Sequence, residues 1–288
     1  MPPDNAISAF RILETDQVID SFTRAELVPS TIARLLSFRC REAREQSLPN
    51  QDYAMVSYRK DGSALSFCVC DGVSSSYKGD FAACCLASYL VKWLQELPVQ
   101  AERPARLEAV LEGQLNRLAL AAQGQLMKLE KPTDVPDLVR EVLDDLCQNY
   151  GSETVFFCGR LDYEVSKAGQ PAQLKDGLFC WMGNVTARLF LNPQQYILLG
   201  EKTDKDGRWS TRHGCRGALH TWSRSLTTLE RLTVHTDGLN DVGEALVTLD
   251  DNTLLARVQQ LLELPDSDDM TAFDLSWQTA DNEEVTWR

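Results

Sequence analysis

Basic residues are in short supply. The chain carries 29 Lys and Arg against 42 Asp and Glu, a net charge of −13 with a pI near 4.7. That balance argues against nucleic acid as the main partner, because binding a phosphate backbone needs Lys and Arg in excess. No apolar run approaches the roughly 20 residues of a membrane span. The start, "MPPDNAISAFRILETDQ", lacks a basic stretch followed by an apolar one, so no signal peptide is expected and the reading is cytoplasmic, with no membrane partner. The nine cysteines include no C-x-x-C pair, which leaves zinc-finger spacing unmet. Most sit among apolar residues, as buried, reduced thiols of a cytosolic protein do. There is no G-x-S-x-G nucleophile elbow, so Ser74, Ser75 and Ser76 read as a polar turn. Internal repeats and low-complexity segments are also missing.

What is present suits an ordinary globular protein. The 288 residues are 43% hydrophobic and 25% charged, enough for one large core. Residues 1–30 have weak patterning punctuated by Pro2, Pro3 and Pro29, and read as an N-terminal extension with one short helix. "DYAMVSYRKDGSALSFCVCDG" reads as two strands joined by a turn with Asp61-Gly62. A helix follows, apolar on nearly every side, with Asp80 as its expected N-cap and Pro98 as its stop. Leu107, Leu111, Leu115, Leu118, Ala122, Leu126 and Leu129 then recur at helical spacing. "DLVREVLDDLCQNYG" is another helix. Strands follow in "ETVFFCGRLDY", "GLFCWMG", "TARLFL" and "QYILLG". The polar stretch from Glu201 to Ser225, rich in Arg and Lys, reads as a surface flap. "LERLTVHTDG" and "MTAFDLSW" are strands with the helix "DNTLLARVQQLLEL" between them. Strands, helices, then strands again imply an α+β fold with antiparallel sheets.

Several aspartates share one context. Asp52 opens a strand, Asp71 and Asp237 close strands before glycine, and Asp268 and Asp269 immediately precede a strand. One such residue alone is a turn or cap. Brought together, they would repel unless cations sat between them, and hard divalent ions such as Mg²⁺ or Mn²⁺ take oxygen ligands of this kind.

The ordered set "NQD", "DGV", a strand after "GSET", "TDGLND" and "DDMT" resembles the metal-dependent Ser/Thr protein phosphatases, the PPM or type 2C family. The resemblance covers about residues 34–277, leaving 1–33 as an extension and 278–288 as a tail. It implies a four-layer αββα sandwich, two antiparallel sheets face to face with helices outside each, and two Mn²⁺ or Mg²⁺ ions in a channel between the sheets. By motif position Asp71 would bridge both ions, the Gly72 carbonyl would bind one, and Asp237 and Asp268 would hold the other side. Asp52 would hydrogen-bond waters on the ions. The implied activity is phosphomonoester hydrolysis on phosphorylated proteins by a water activated between two metals. The implied partners are a phosphoprotein and a cognate Ser/Thr kinase or its target.

The chain departs from that pattern in places. The usual phosphate-binding arginine is replaced by Ser47, and Arg44 would serve in its place if "EQSLP" loops out. Val73 stands where animal members carry a histidine, and Ser74-Ser75 where a double glycine is usual. A third metal would use Asp241, but its other ligand position holds neutral Asn184, which weakens or removes that site. His235 reads as packed. His213 and His220, with Arg208, Arg212 and Arg216, read as a solvated loop, the sharper alternative being a basic lip that recognises phosphoprotein. The leading reading is an active phosphatase. The alternatives are a pseudophosphatase that binds phosphoprotein without turnover, and a hydrolase of small phosphorylated metabolites.

Overall fold

The computed structural model describes residues 9–28, 30–98, 104–129, 135–164, 173–192, 194–200 and 206–277. The chain begins with strands β1 (Phe10–Glu14), β2 (Ser21–Val28) and β3 (Thr31–Phe38), a short helix α1 (Arg41–Glu45), and the hairpin β4 (Tyr53–Arg59) and β5 (Ala64–Gly72). Three helices follow, α2 (Gly79–Glu96), α3 (Pro104–Leu126) and α4 (Asp137–Asp145). The long strands β6 (Glu153–Glu164) and β7 (Gln173–Met182) come next, then β8 (Thr186–Asn192) and β9 (Gln195–Leu199). The remainder is β10 (Arg208–Ser210), β11 (Gly214–Arg216), β12 (His220–Ser225), β13 (Arg231–His235), α5 (Ala245–Thr248), α6 (Asp251–Leu262) and β14 (Met270–Trp277).

These strands make two antiparallel sheets. One runs β1-β4-β5-β6 and continues from β6 both into β7-β12 and into β10-β11. The other runs β2-β3-β14-β13-β8-β9. Side chains alternate between the two faces of each strand. Along β5, Leu65, Phe67 and Val69 enter the core between the sheets, against Phe273, Leu232 and Val234 of the second sheet. Cys68 and Cys70 turn the other way, into a core with Leu86, Leu90 and Leu94 of α2 and Leu111 and Leu115 of α3. On the far side, Leu254, Val258 and Leu261 of α6 pack on Leu36, Met270 and Ala272. The architecture is therefore the expected four-layer αββα sandwich. All nine cysteines are free thiols. No helix among the described residues is long and apolar enough to cross a membrane.

Three local expectations need correction. The helix expected in the first thirty residues is not found among those described. Instead β1 pairs with β4 and β2 with β3, so residues 10–28 supply an edge strand to each sheet. β1 is mostly exposed and β2 is half-buried or exposed up to its last two residues, so neither shows the clean buried–exposed alternation that marks a strand in sequence. The flap expected from Glu201 to Ser225 contains β10, β11 and β12 of the first sheet, while residues 201–205 lie outside the described residues. Trp209 anchors this region: it is fully buried, and its indole N–H donates to the Leu115 carbonyl at 3.1 Å. Asp80 is not the N-cap of α2. The cap position is Lys78, in left-handed conformation at φ 55°, and Asp80 lies in the first turn, where a carboxylate favours the helix dipole. The tail from 278 lies outside the described residues.

Glycine at position 72 is a packing requirement. A Cβ there would lie 2.5 Å from the Gln51 carbonyl oxygen and 2.7 Å from the Gly79 carbonyl carbon. Gly72→Ala is expected to cost about 1–3 kcal/mol in urea unfolding through overpacking. Gly113→Ala, where the added methyl of α3 meets open space, is expected to gain up to about 1 kcal/mol.

Candidate functional site

The alternation that buries Leu65, Phe67 and Val69 between the sheets also sends Asp71 to the inter-sheet side, at the end of β5. Asp52 stands just before β4 and is 2% exposed. Asp237 begins a single 3₁₀ turn after β13. Asp268 and Asp269 directly precede β14. These separate segments meet at one end of the sandwich, in a cleft of about 670 Å³ lined by Asp52, Asp71, Gly72, Asp237, Asp268 and Asp269.

The carboxylates feel one another. Burial, then the charges of Asp237 and Asp268, push the Asp71 carboxyl well above its usual range. Burial, then Asp71 and Asp269, do the same to Asp52, although a hydrogen bond from Thr236 opposes the shift. Asp268 is raised by burial, against a backbone hydrogen bond from Asp269, with Asp237 and Asp269 adding repulsion.

Two of the five are spoken for structurally. Asp269 accepts the backbone N–H of Cys40 at 2.7 Å and of Gln51 at 2.6 Å, stitching α1 and the start of β4 to β14. Asp52 Oδ2 accepts from the Thr236 hydroxyl at 2.7 Å. Asp71, Asp237 and Asp268 remain facing the cleft, and Asn184 donates to Asp237 Oδ2 at 3.1 Å. An all-oxygen donor set with uncompensated negative charge fits hard divalent cations. Among the described residues no three acidic, His or Cys side chains are closed into a ready cage.

The structure brings together every carboxylate picked from sequence except Asp241, which is exposed beside a smaller, adjoining cleft of about 320 Å³ together with Asp237, Asp266 and Asp268. Arg44 is a correction. It does not line the cleft: its Nη2 donates to the Leu262 carbonyl at 2.9 Å and lies 3.7 Å from Glu263. Residues 46–48 turn, with Ser47 at φ 56°, but α1 carries Arg44 toward the end of α6. The cleft-lining arginine is Arg208, whose region reads in sequence as a solvated loop. His235 is packed, as expected. Its Nδ1–H donates to the Thr236 carbonyl, Nε2 accepts from Arg188 at 2.6 Å, and burial lowers its pKa to about 4.

The family model for protein phosphatase 2C matches residues 39–272. The chain belongs to that family. Its activity is accordingly that of a protein-serine/threonine phosphatase, a phosphoprotein hydrolase. Similar solved structures include RsbX in complex with magnesium, at 13% identity and TM-score 0.54, covering 90% of this chain and 100% of that one. A bacterial serine phosphatase matches at 13% identity and TM-score 0.50, covering 87% and 98%. The serine/threonine phosphatase Stp1 from Staphylococcus aureus matches at 13% identity and TM-score 0.50, covering 86% and 94%. At these identities the likeness is one of fold. No curated protein matches.

A raised carboxyl pKa means the folded state binds the proton more tightly than the unfolded chain. Its stability contribution is present below the unfolded pKa and is lost as pH rises through the folded one. In EDTA, Asp71→Asn is therefore expected to raise the melting temperature at pH 7 and to change it little at pH 4. An Asp71→Asn protein no more stable than wild type at pH 7 would refute the repulsion described here.

Proposed function

We propose that the chain dephosphorylates phosphoserine and phosphothreonine in proteins with the help of two divalent cations, Mn²⁺ or Mg²⁺, held by Asp71, the Gly72 carbonyl, Asp237 and Asp268. The observation that carries this reading is the meeting of three cleft-facing carboxylates on separate segments, with Asp71 pushed well up by burial and by the charges of the other two. The magnesium in the RsbX structure supports the choice of ion class. When bound, the cations supply the positive charge that makes a nearby water acidic and offsets charge building on the phosphate oxygens.

The chain's own residues do the rest. Thr236 fixes Asp52 through Oδ2, leaving Oδ1 to hydrogen-bond a water and orient it toward phosphorus. Val73 follows the Asp-Gly pair and cannot donate a proton, so solvent protonates the leaving serine or threonine oxygen. The Ser76 hydroxyl, just beyond the Asp71-Gly72 pair, is spent on the Val73 carbonyl at 2.7 Å. Water attacks directly, and no covalent enzyme intermediate forms. Asn184 brings a neutral amide where a third cation would need charge, so a third ion involving Asp241 binds weakly or not at all. The substrate is the product of a Ser/Thr kinase, and the free thiols suit a reducing, cytoplasmic setting. Family membership favours turnover over the binding-module reading.

Hydrolysis of p-nitrophenyl phosphate and a phosphothreonine peptide should require Mn²⁺ or Mg²⁺ and stop in EDTA. Asp71→Asn and Asp237→Asn should fall to the EDTA background, and Asp52→Asn should lower kcat about 100-fold while retaining Mn²⁺ binding by calorimetry. Folded wild-type protein that is inactive with every metal would overturn the enzyme.

A further inference from the structure

Among the described residues, Arg208 is the single basic side chain lining the catalytic cleft. The other arginines near its entrance are committed elsewhere: Arg39 to Asp20 at 2.9 Å, Arg41 to Glu45 at 2.8 Å, and Arg44 to the end of α6. Arg208 is held but not used up. Its Nη1 lies 3.3 Å from Glu153 Oε2, its Nε donates to the Asp206 carbonyl at 3.3 Å, and its Nη2 makes no hydrogen bond among the described residues. Glu153 is the unusual member. Its side chain is only 5% exposed, yet it carries a charge, and a second arginine, Arg216, reaches its Oε1 at 3.1 Å.

The surrounding backbone explains why this group is rigid. Arg208 and Arg216 are directly opposed on β10 and β11, a repulsive placement that the carboxylate between them relieves. Trp209, one residue on and facing the opposite way, is locked in the helix-side core. Glu153 is tied at both ends to the turn that follows the Asp71-Gly72 pair: its carbonyl accepts the Val73 N–H at 2.9 Å, and its N–H donates to the Ser76 hydroxyl at 3.1 Å. The arginine is thus indexed to the same strand end that presents Asp71. The two arginines and one carboxylate leave a positive charge at the rim of a cleft whose floor is acidic.

We propose that Arg208 binds the phosphate of the substrate, with Glu153 as the residue that positions it. The planar guanidinium, with Nη2 unclaimed, can donate to phosphate oxygens while Nη1 stays on Glu153. This takes the Proposed function as given and adds the group that recognises the phosphoryl oxygens, supplied by the first sheet in place of Arg44.

The test compares wild type, Arg208→Ala, Arg208→Lys, Glu153→Gln and Arg44→Ala. The phosphothreonine peptide gives kcat and KM, and calorimetry in Mn²⁺ gives the affinities for inorganic phosphate and for the metal. Arg208→Ala should raise KM and the phosphate Kd about 10–100-fold, the loss of a charge-assisted hydrogen bond. Its kcat should change less, and its Mn²⁺ affinity should stay unchanged. Arg208→Lys should recover part of the loss, since it keeps the charge without the fork. Glu153→Gln should raise KM by less than Arg208→Ala does, and Arg44→Ala should resemble wild type. Unchanged KM and phosphate affinity in Arg208→Ala, or the expected rise appearing in Arg44→Ala instead, would overturn the assignment. Were wild type inactive, the phosphatase reading would fall while the phosphate titration still decided this one. Binding lost on Arg208→Ala would support it. Binding that persists, or that wild type never shows, would overturn it.

Discussion

Asp71 and Asp237 come from strands of different sheets, and their charges repel at the mouth of a well-packed core. Neither can retreat. Asp71 ends a strand whose preceding seven residues are all buried, and Asp237 follows a strand buried at every position but its first. Packing of Phe67, backed by Phe157 and Phe179 of its own sheet, against Phe273 of the other bridges the two sheets behind them. The free energy gained by that core is what confines like charges in one place. A folded protein that tolerates such a concentration of carboxylates is one whose stability depends on protons or cations in the cleft.

The remaining polar contacts around the cleft read as fastenings for this arrangement. Asp269 spends its charge on backbone N–H groups, and Asp52 is tethered by Thr236, so two neighbouring carboxylates are structural in whole or in part. A second set of fastenings lies on the outer face of the other sheet. Arg34 and Arg231 both pair with the buried Asp274 and donate to carbonyls at the end of α5. They fix the segment that follows Asp237 from behind, which keeps that turn in place without adding charge to the cleft.

Sequence patterns revealed the parts of this molecule that are built from local rules. The β4–β5 hairpin is marked by Asp61-Gly62, α3 by its leucine spacing, and the strand-end aspartates by the glycines that follow two of them. What escaped was long-range or set at an edge. Strand β1 exposes most of its residues and β2 leaves all but its last two half-buried or exposed, so no clean period of two survives. Strands β10 and β11 are three residues each, and their burial is imposed by α3 lying over Trp209. Arg44 and Arg208 could be separated only by knowing which way α1 points and which strand lies across the cleft. Nothing near either arginine in sequence encodes that, because the deciding neighbour of Arg208 is Glu153, 55 residues away.

The glycine beside Asp71 bears on how such chains should be judged. Its hydrogen atom occupies a gap between the Gln51 carbonyl and the first residue of α2 that no larger side chain could enter. The sandwich would require that glycine whether or not a phosphate ever reached the cleft. In a relative that had given up catalysis, the aspartate could drift to asparagine or serine while the glycine stayed. An intact glycine therefore testifies to architecture, and only the acidic residue before it to chemistry.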